Sequence, residues 1–149
     1  MLDPAVHAER RDRLFRAVGQ PILLMGNGER PRNLPMATVP FRQDSTFLYF
    51  TGCTIPGAAL LIAEGTSTLF VPEPAEDDAL WHGVSHSLDD VAAEYGFEHI
   101  QPARTLEQTT DSLANVATIA IPDLAQTIRA EAISGTRLRF GHNNGTETL

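Results

Sequence analysis

The sequence predicts an α/β domain of three layers, with a mixed central sheet and helices on both of its faces. Three observations carry that expectation. From Leu88 onward, helical and strand-like segments alternate, which is the pattern of parallel strands joined by helical crossovers. Two short apolar runs, Ala58 to Ala63 and Ser67 to Val71, are separated by Glu64-Gly65-Thr66 and read as a β-hairpin, so the sheet must also hold an antiparallel pair. Finally, Pro21 to Met25 is apolar at every position, as in a strand covered on both sides.

Taken in order, Asp3 to Val18 reads as an amphipathic helix. Asp3 can cap it, Pro4 suits its first turn and Gly19 ends it. Val6, Leu14 and Val18 recur along one face, the expected buried one, and Arg10, Arg11, Arg13 and Arg16 are expected on the solvated side. After the strand, Gly26 to Pro40 is rich in turn formers. Its Gly26-Asn27-Gly28 has no third glycine and no Lys-Ser/Thr pair, so a surface loop accounts for it better than a nucleotide loop does.

Phe41 to Gly52 follows, and it is the densest stretch of the chain. Asp44 or Ser45 can cap a short helix there, and Gly52 can stop it in the left-handed conformation. Phe47, Leu48, Tyr49 and Phe50 leave no polar face, so burial on most sides is expected, and a β-strand competes with the helix for this run. The hairpin comes next, opened by Pro56-Gly57 and closed by Pro72 and Pro74. Glu76 to His82 then reads as a short helix with acids at its start. The remaining expectations are a helix over Leu88 to Tyr95, a strand over Phe97 to Ile100 and a helix over Leu106 to Asn115 capped by Thr105. A strand over Ala117 to Ile121 and a helix opened by Pro122-Asp123 and reaching Ile133 complete them. This sets the domain at 1–133, with 134–149 as a tail or the start of a linker.

At 149 residues, 42% hydrophobic and 20% charged, the chain suits one globular domain with a core of its own. Its 11 basic and 19 acidic residues give a net charge of −8, which repels phosphate backbones and argues against nucleic acid as a partner. No run approaches the length of a membrane span. The single cysteine, Cys53, follows Gly52 in an apolar neighbourhood and is expected as a buried small hydrophobe. Together with the mixed acids and bases near the N-terminus, it favours a cytoplasmic setting.

The string Phe41-Arg42-Gln43-Asp44-Ser45-Thr46-Phe47-Leu48-Tyr49-Phe50-Thr51-Gly52 resembles the signature of the N-terminal domain of the creatinase, aminopeptidase P and prolidase family. A second similarity lies in Ser67 to Pro72 followed by Asp77-Asp78-Ala79-Leu80-Trp81-His82-Gly83, in the family's order and at about its spacing. The resemblance implies a ribonuclease-H-like architecture and a non-catalytic domain of an Xaa-Pro aminopeptidase. It also implies that a pair of divalent metals, manganese among them, is held by two aspartates, a histidine and two glutamates of a separate C-terminal catalytic domain. That domain would be the main partner, and homo-oligomers are expected. A prolidase or creatinase parent, or a free-standing interaction module, is the alternative.

Within this chain, no catalytic or metal residue is assigned. His82 and His86 have the spacing of two imidazoles on one helical face, but Gly83 stands where a zinc peptidase needs glutamate. Glu76 to Asp78 and Asp89-Asp90 sit at helix starts, where negative charge is favoured for local reasons. Candidate substrate-cleft or interdomain residues are Trp81, Arg42, Gln43, Asp44 and Tyr49. Trp81 either fills the core against the hairpin or walls a substrate cleft. Arg42 either offers a bidentate contact to a carboxylate or pairs with Asp44.

Overall fold

The computed structural model describes residues 2–29, 40–73 and 87–138. The helix expected over Glu76 to His82, with Trp81 and His82 on it, lies outside the described residues, as does His86. Among the described residues are five α-helices: α1 (Pro4–Val18), α2 (Ser45–Thr51), α3 (Leu88–Tyr95), α4 (Leu106–Thr110) and α5 (Leu124–Ser134). Five strands join them: β1 (Ile22–Met25), β2 (Ala59–Ala63), β3 (Thr66–Val71), β4 (His99–Pro102) and β5 (Ala117–Thr118).

The sheet runs β4-β3-β2-β1-β5. The β2–β3 and β1–β2 pairs are antiparallel, and β3–β4 and β1–β5 are parallel, which makes the sheet mixed as expected. The β2–β3 turn is tight because Glu64 and Gly65 both take positive φ (52° and 77°), the conformation a two-residue hairpin of this hand requires. Alternation along the strands divides the core into two. Ile22, Leu24, Leu60, Ile62, Leu69 and Val71 face α1, α2 and α3. Leu23, Met25, Ala59, Leu61 and Phe70 face α4 and α5. The three layers follow from this split.

Four sequence expectations need correction. The first concerns α1. Val6 and Val18 are 37% and 40% exposed, whereas His7 and Arg11 are buried, with Leu14 and Phe15 packed against the core beside them. The polar residues win that face because the C-terminal turn of α2 presents carbonyls to it. His7 Nδ1 donates to Tyr49 O at 2.9 Å, and Arg10 Nη1 reaches the same oxygen at 2.9 Å. Arg11 Nη1 donates to Phe50 O at 2.8 Å, and its guanidinium lies 4.2 Å from the Phe97 ring centre. A helix leaves its last carbonyls without partners and gathers partial negative charge there, and three α1 side chains satisfy that end. Burial lowers the Arg11 pKa from its usual value, partly opposed by Asp12.

The second correction is that Leu48 and Tyr49 are 39% and 50% exposed, so the apolar run of α2 is not buried on most sides. The run is helical, with Asp44 as its cap through Asp44 Oδ1 and Phe47 N (2.9 Å) and with Gly52 left-handed at its end. At 3.6 residues per turn, only Phe47 and Thr51 point fully into the core. A β-carbon on Gly52 would fall 2.7 Å from His7 Nε2, so glycine is needed there for space as well as for φ.

The third concerns α4, which ends at Thr110 rather than Asn115 and is not capped by Thr105. A 3₁₀ turn (Ala103–Thr105) runs directly into it, so Thr105 is already helical and its hydroxyl donates back to Pro102 O at 2.8 Å. The adjacent Thr109 and Thr110 hydroxyls turn back onto Thr105 O and Leu106 O, a pattern that weakens further helix.

The fourth concerns the strand limits. β4 starts at His99 because Phe97 N is used on Ala92 O to close α3. β5 stops at Thr118; further along, Ile121 spends both backbone groups on the buried Thr127 hydroxyl (3.0 and 2.9 Å).

Cys53 is fully buried, as expected, and burial pushes its thiol pKa up from 9.0 to about 11. The unfolded chain therefore loses this proton first. Between pH 9.0 and about 11 the folded state holds the extra proton, and stability falls as pH rises. Denaturant titrations should show this loss, at most about 1.4 kcal/mol per pH unit, and Cys53→Ala should remove it. Separately, Arg11→Ala should destabilise the domain by about 2–4 kcal/mol in the same assay, because a charged hydrogen bond and a cation–π contact go together.

Candidate functional site

Three of the five residues singled out in the sequence converge. Arg42, Gln43 and Asp44 line one open cavity of ≈360 Å³, together with Asn27, Phe41 and Pro122 among others. The cavity lies beyond the carboxyl ends of the parallel pair β1 and β5. From β1 the chain passes to α2 on one face of the sheet, and from β5 to α5 on the other. In open α/β sheets, such a divergence leaves a crevice at the strand ends.

Gln43 builds this site, and it is buried rather than displayed. Its Oε1 accepts from Asn27 N at 2.8 Å and from Asp44 N at 2.9 Å, and its Nε2 donates to Ile55 O at 3.2 Å. One amide thus ties the end of β1, the start of α2 and the segment before β2. Gly26 makes room for it, since a β-carbon there would sit 2.9 Å from both Gln43 Oε1 and Ala58 O. Asp44 does not pair with Arg42. Its carboxylate caps α2, and among the described residues Arg42 makes no ion pair and remains exposed.

Two further residues of the site escaped the sequence reading. Asn27 counted there only as a turn former. Its Nδ2 donates to Arg42 O at 2.9 Å, which fixes the amide orientation, and its Oδ1 is buried with no hydrogen-bond partner among the described residues. Asp123 was expected only as the opener of a helix. It caps α5 through Gln126 N (3.2 Å), and its second oxygen accepts from Gly28 N at 2.8 Å, binding the two strand-end loops together. Pairing across 95 positions leaves no local signal to read.

Tyr49 lies elsewhere. It lines a separate, mainly apolar groove of ≈570 Å³ with Leu2, His7, Arg10 and Leu48, and Arg10 stacks 3.9 Å from its ring centre. Trp81 falls outside the described residues.

Among the described residues, no three of His, Cys, Asp or Glu converge in a way that could hold a metal ion. His7 is committed to Tyr49 O, and Cys53 is buried with its proton held. The described residues therefore do not fit the metal centre implied by the resemblance.

The architecture is that of the N-terminal part of solved aminopeptidases P. A variant of Escherichia coli aminopeptidase P superposes with a TM-score of 0.74 at 21% identity, covering 89% of this chain and 32% of that one. Aminopeptidase PepP of Pseudomonas aeruginosa gives 0.71 at 22%, covering 93% and 36%. In sequence, a probable Xaa-Pro aminopeptidase pepP of Aspergillus clavatus is 33% identical over 79 residues, 52% of this chain and 17% of the relative. A human Xaa-Pro dipeptidase is 32% identical over 113 residues, 74% of this chain and 22% of the relative. The chain spans about a fifth of the length of these curated relatives. The profile for the aminopeptidase P N-terminal domain matches residues 7–121, and the chain belongs to that family.

Two substitutions separate scaffold from display. Gln43→Ala removes the acceptor of two amides, Asn27 N and Asp44 N, and one of the two donors to Ile55 O, and should cost about 2–4 kcal/mol by denaturant titration. Arg42→Ala should stay within about 0.5 kcal/mol, since its exposed side chain makes no ion pair among the described residues.

Proposed function

We propose that this chain acts as a non-catalytic N-terminal domain of an Xaa-Pro aminopeptidase, helping to assemble a homo-oligomer and to cover the active site of a C-terminal catalytic domain. The observation that carries the reading is the family membership over residues 7–121, joined to described residues that hold no metal-binding cluster. In this reading the divalent metal pair, manganese among the options, belongs to the catalytic domain, and residues 134–149 following the 1–133 domain lead toward it. Arg42 and Asp44 face the groove between the two parts, supported by their place on an open cavity and by a guanidinium that makes no ion pair among the described residues. Tyr49 serves the second, apolar groove. Trp81 walls the substrate cleft. A cytoplasmic location accompanies this reading.

A second reading is favoured by one observation. The human Xaa-Pro dipeptidase matches more of the chain than the fungal aminopeptidase does, so a dipeptide-cleaving parent fits the same domain.

The test is a pair of assays with Mn²⁺ on an Xaa-Pro peptide and an Xaa-Pro dipeptide. One uses this chain and the other a longer chain that joins it to a catalytic domain. Turnover is expected only from the longer chain, and the preferred substrate separates aminopeptidase from dipeptidase. Metal-dependent cleavage by this chain alone would falsify the non-catalytic assignment. In the longer chain, Trp81→Ala should raise KM by up to roughly tenfold while metal content stays unchanged. Unaltered kinetics would return Trp81 to the core.

A further inference from the structure

Leu2, Val6, Leu48 and Tyr49 are large apolar side chains left exposed, and they gather on one flank of the domain. Leu2, Leu48 and Tyr49 line the apolar groove of ≈570 Å³ between α1 and α2, and Val6 stands on α1 one turn before Arg10. Apolar patches with a polar rim mark contact surfaces. Here the rim carries one charge of each sign. Arg10 lies in the groove, stacked on Tyr49, and no carboxylate among the described residues forms an ion pair with it. Asp3 is exposed at the start of α1, and one of its oxygens accepts from Ala5 N at 2.8 Å.

Asp3, Val6 and Arg10 fall at i, i+3 and i+7, so they share one face of the helix. At the rise of an α-helix the two charges stand about 10 Å apart, with Val6 near the midpoint. Such a row is its own complement. A half-turn about an axis perpendicular to α1 at Val6 sets each Asp3 opposite an Arg10 and brings the two Val6 side chains together. The same rotation carries Leu2 of the second copy, next to its Asp3, toward Leu48 and Tyr49. Parallel helices would instead oppose Asp3 to Asp3 and Arg10 to Arg10, so the charges select the antiparallel arrangement. Tyr49 O engages only Nη1 of Arg10, which leaves other N–H groups of the guanidinium for a carboxylate.

We propose that this flank pairs two copies of the chain in an isologous dimer, α1 against α1 and antiparallel. Two Asp3–Arg10 ion pairs close it around an apolar centre of Val6, Leu2, Leu48 and Tyr49. As the surface of a homo-oligomer it rests on the function proposed above, but association needs only the residues of this chain.

Sedimentation equilibrium of the full chain tests this. A monomer–dimer equilibrium in the micromolar range is expected, as suits a small interface. Val6→Arg places two like charges at the axis and should weaken dimerisation about tenfold or more. Asp3→Arg and Arg10→Asp should each have a similar effect. In Arg10→Asp, His7 still donates to Tyr49 O, so the end of α2 keeps a partner. An equimolar mixture of these two variants should recover most of the lost affinity, because the mixed dimer has opposite charges at both contacts. Damage to the fold cannot be repaired by mixing. A chain that stays monomeric up to about 1 mM overturns the proposal. So does a dimer indifferent to Val6→Arg, or a mixture no tighter than either variant alone. Should a longer chain cleave Xaa-Pro peptides while this chain stays monomeric, the interface fails and the domain assignment stands. Should this chain dimerise through Val6 while the longer chain shows no cleavage, the reverse holds.

Discussion

One side-chain amide holds the strand-end corner of this domain together. Gln43 bridges three separate segments with a single oxygen and a single nitrogen, and it does so from a buried position. Buried backbone groups must find partners, and here the partners come from neither a helix nor a ladder. Shape at the strand ends therefore depends on one residue with one donor side and one acceptor side. Glutamate would present an acceptor to Ile55 O where a donor is needed, and Gly26 must stay small for the amide to fit.

The same logic explains the α1–α2 contact. A helix of seven residues has little stability of its own, and α2 is held by the burial of Phe47 and by donors from α1 at its last turn. Burying one phenylalanine contributes about 1.5–3 kcal/mol, and satisfying the helix end adds to it. Arg11 is the cost of this arrangement: a cation under the surface, with Nε unpartnered among the described residues, stabilised by a carbonyl and the face of Phe97.

Much of this was legible in the chain, and the misses on α1 and at the site share one cause. Caps and stops depend on residues a turn apart, so Asp3, Asp44 and Asp123 mark true helix starts, and Gly19, Gly52 and Gly96 true ends. The hairpin is local in the same way. The face of α1 is not, because a carbonyl thirty-nine positions away decides that Arg11 goes inward and Val18 outward. Periodicity counts only apolar residues and cannot see a polar demand from another helix. For the site, Arg42, Gln43 and Asp44 were visible as a polar run before an apolar one. Asn27 and Asp123 matter only once β1 and β5 lie side by side.

The brevity of β5 has its own consequence. Two residues of ladder secure the outer edge of the sheet next to β1, so that wall of the crevice is fastened by side chains: Asp123 to Gly28 and Thr127 to Ile121. β2, by contrast, is paired along its length on both sides. Detaching α5 and β5 breaks few main-chain bonds and leaves the β2-centred sheet intact, which favours sub-global opening at this corner. In hydrogen exchange, the amides of β5 and α5 would lose protection while β2 stays closed, and each such excursion would erase the crevice and restore it on reclosing.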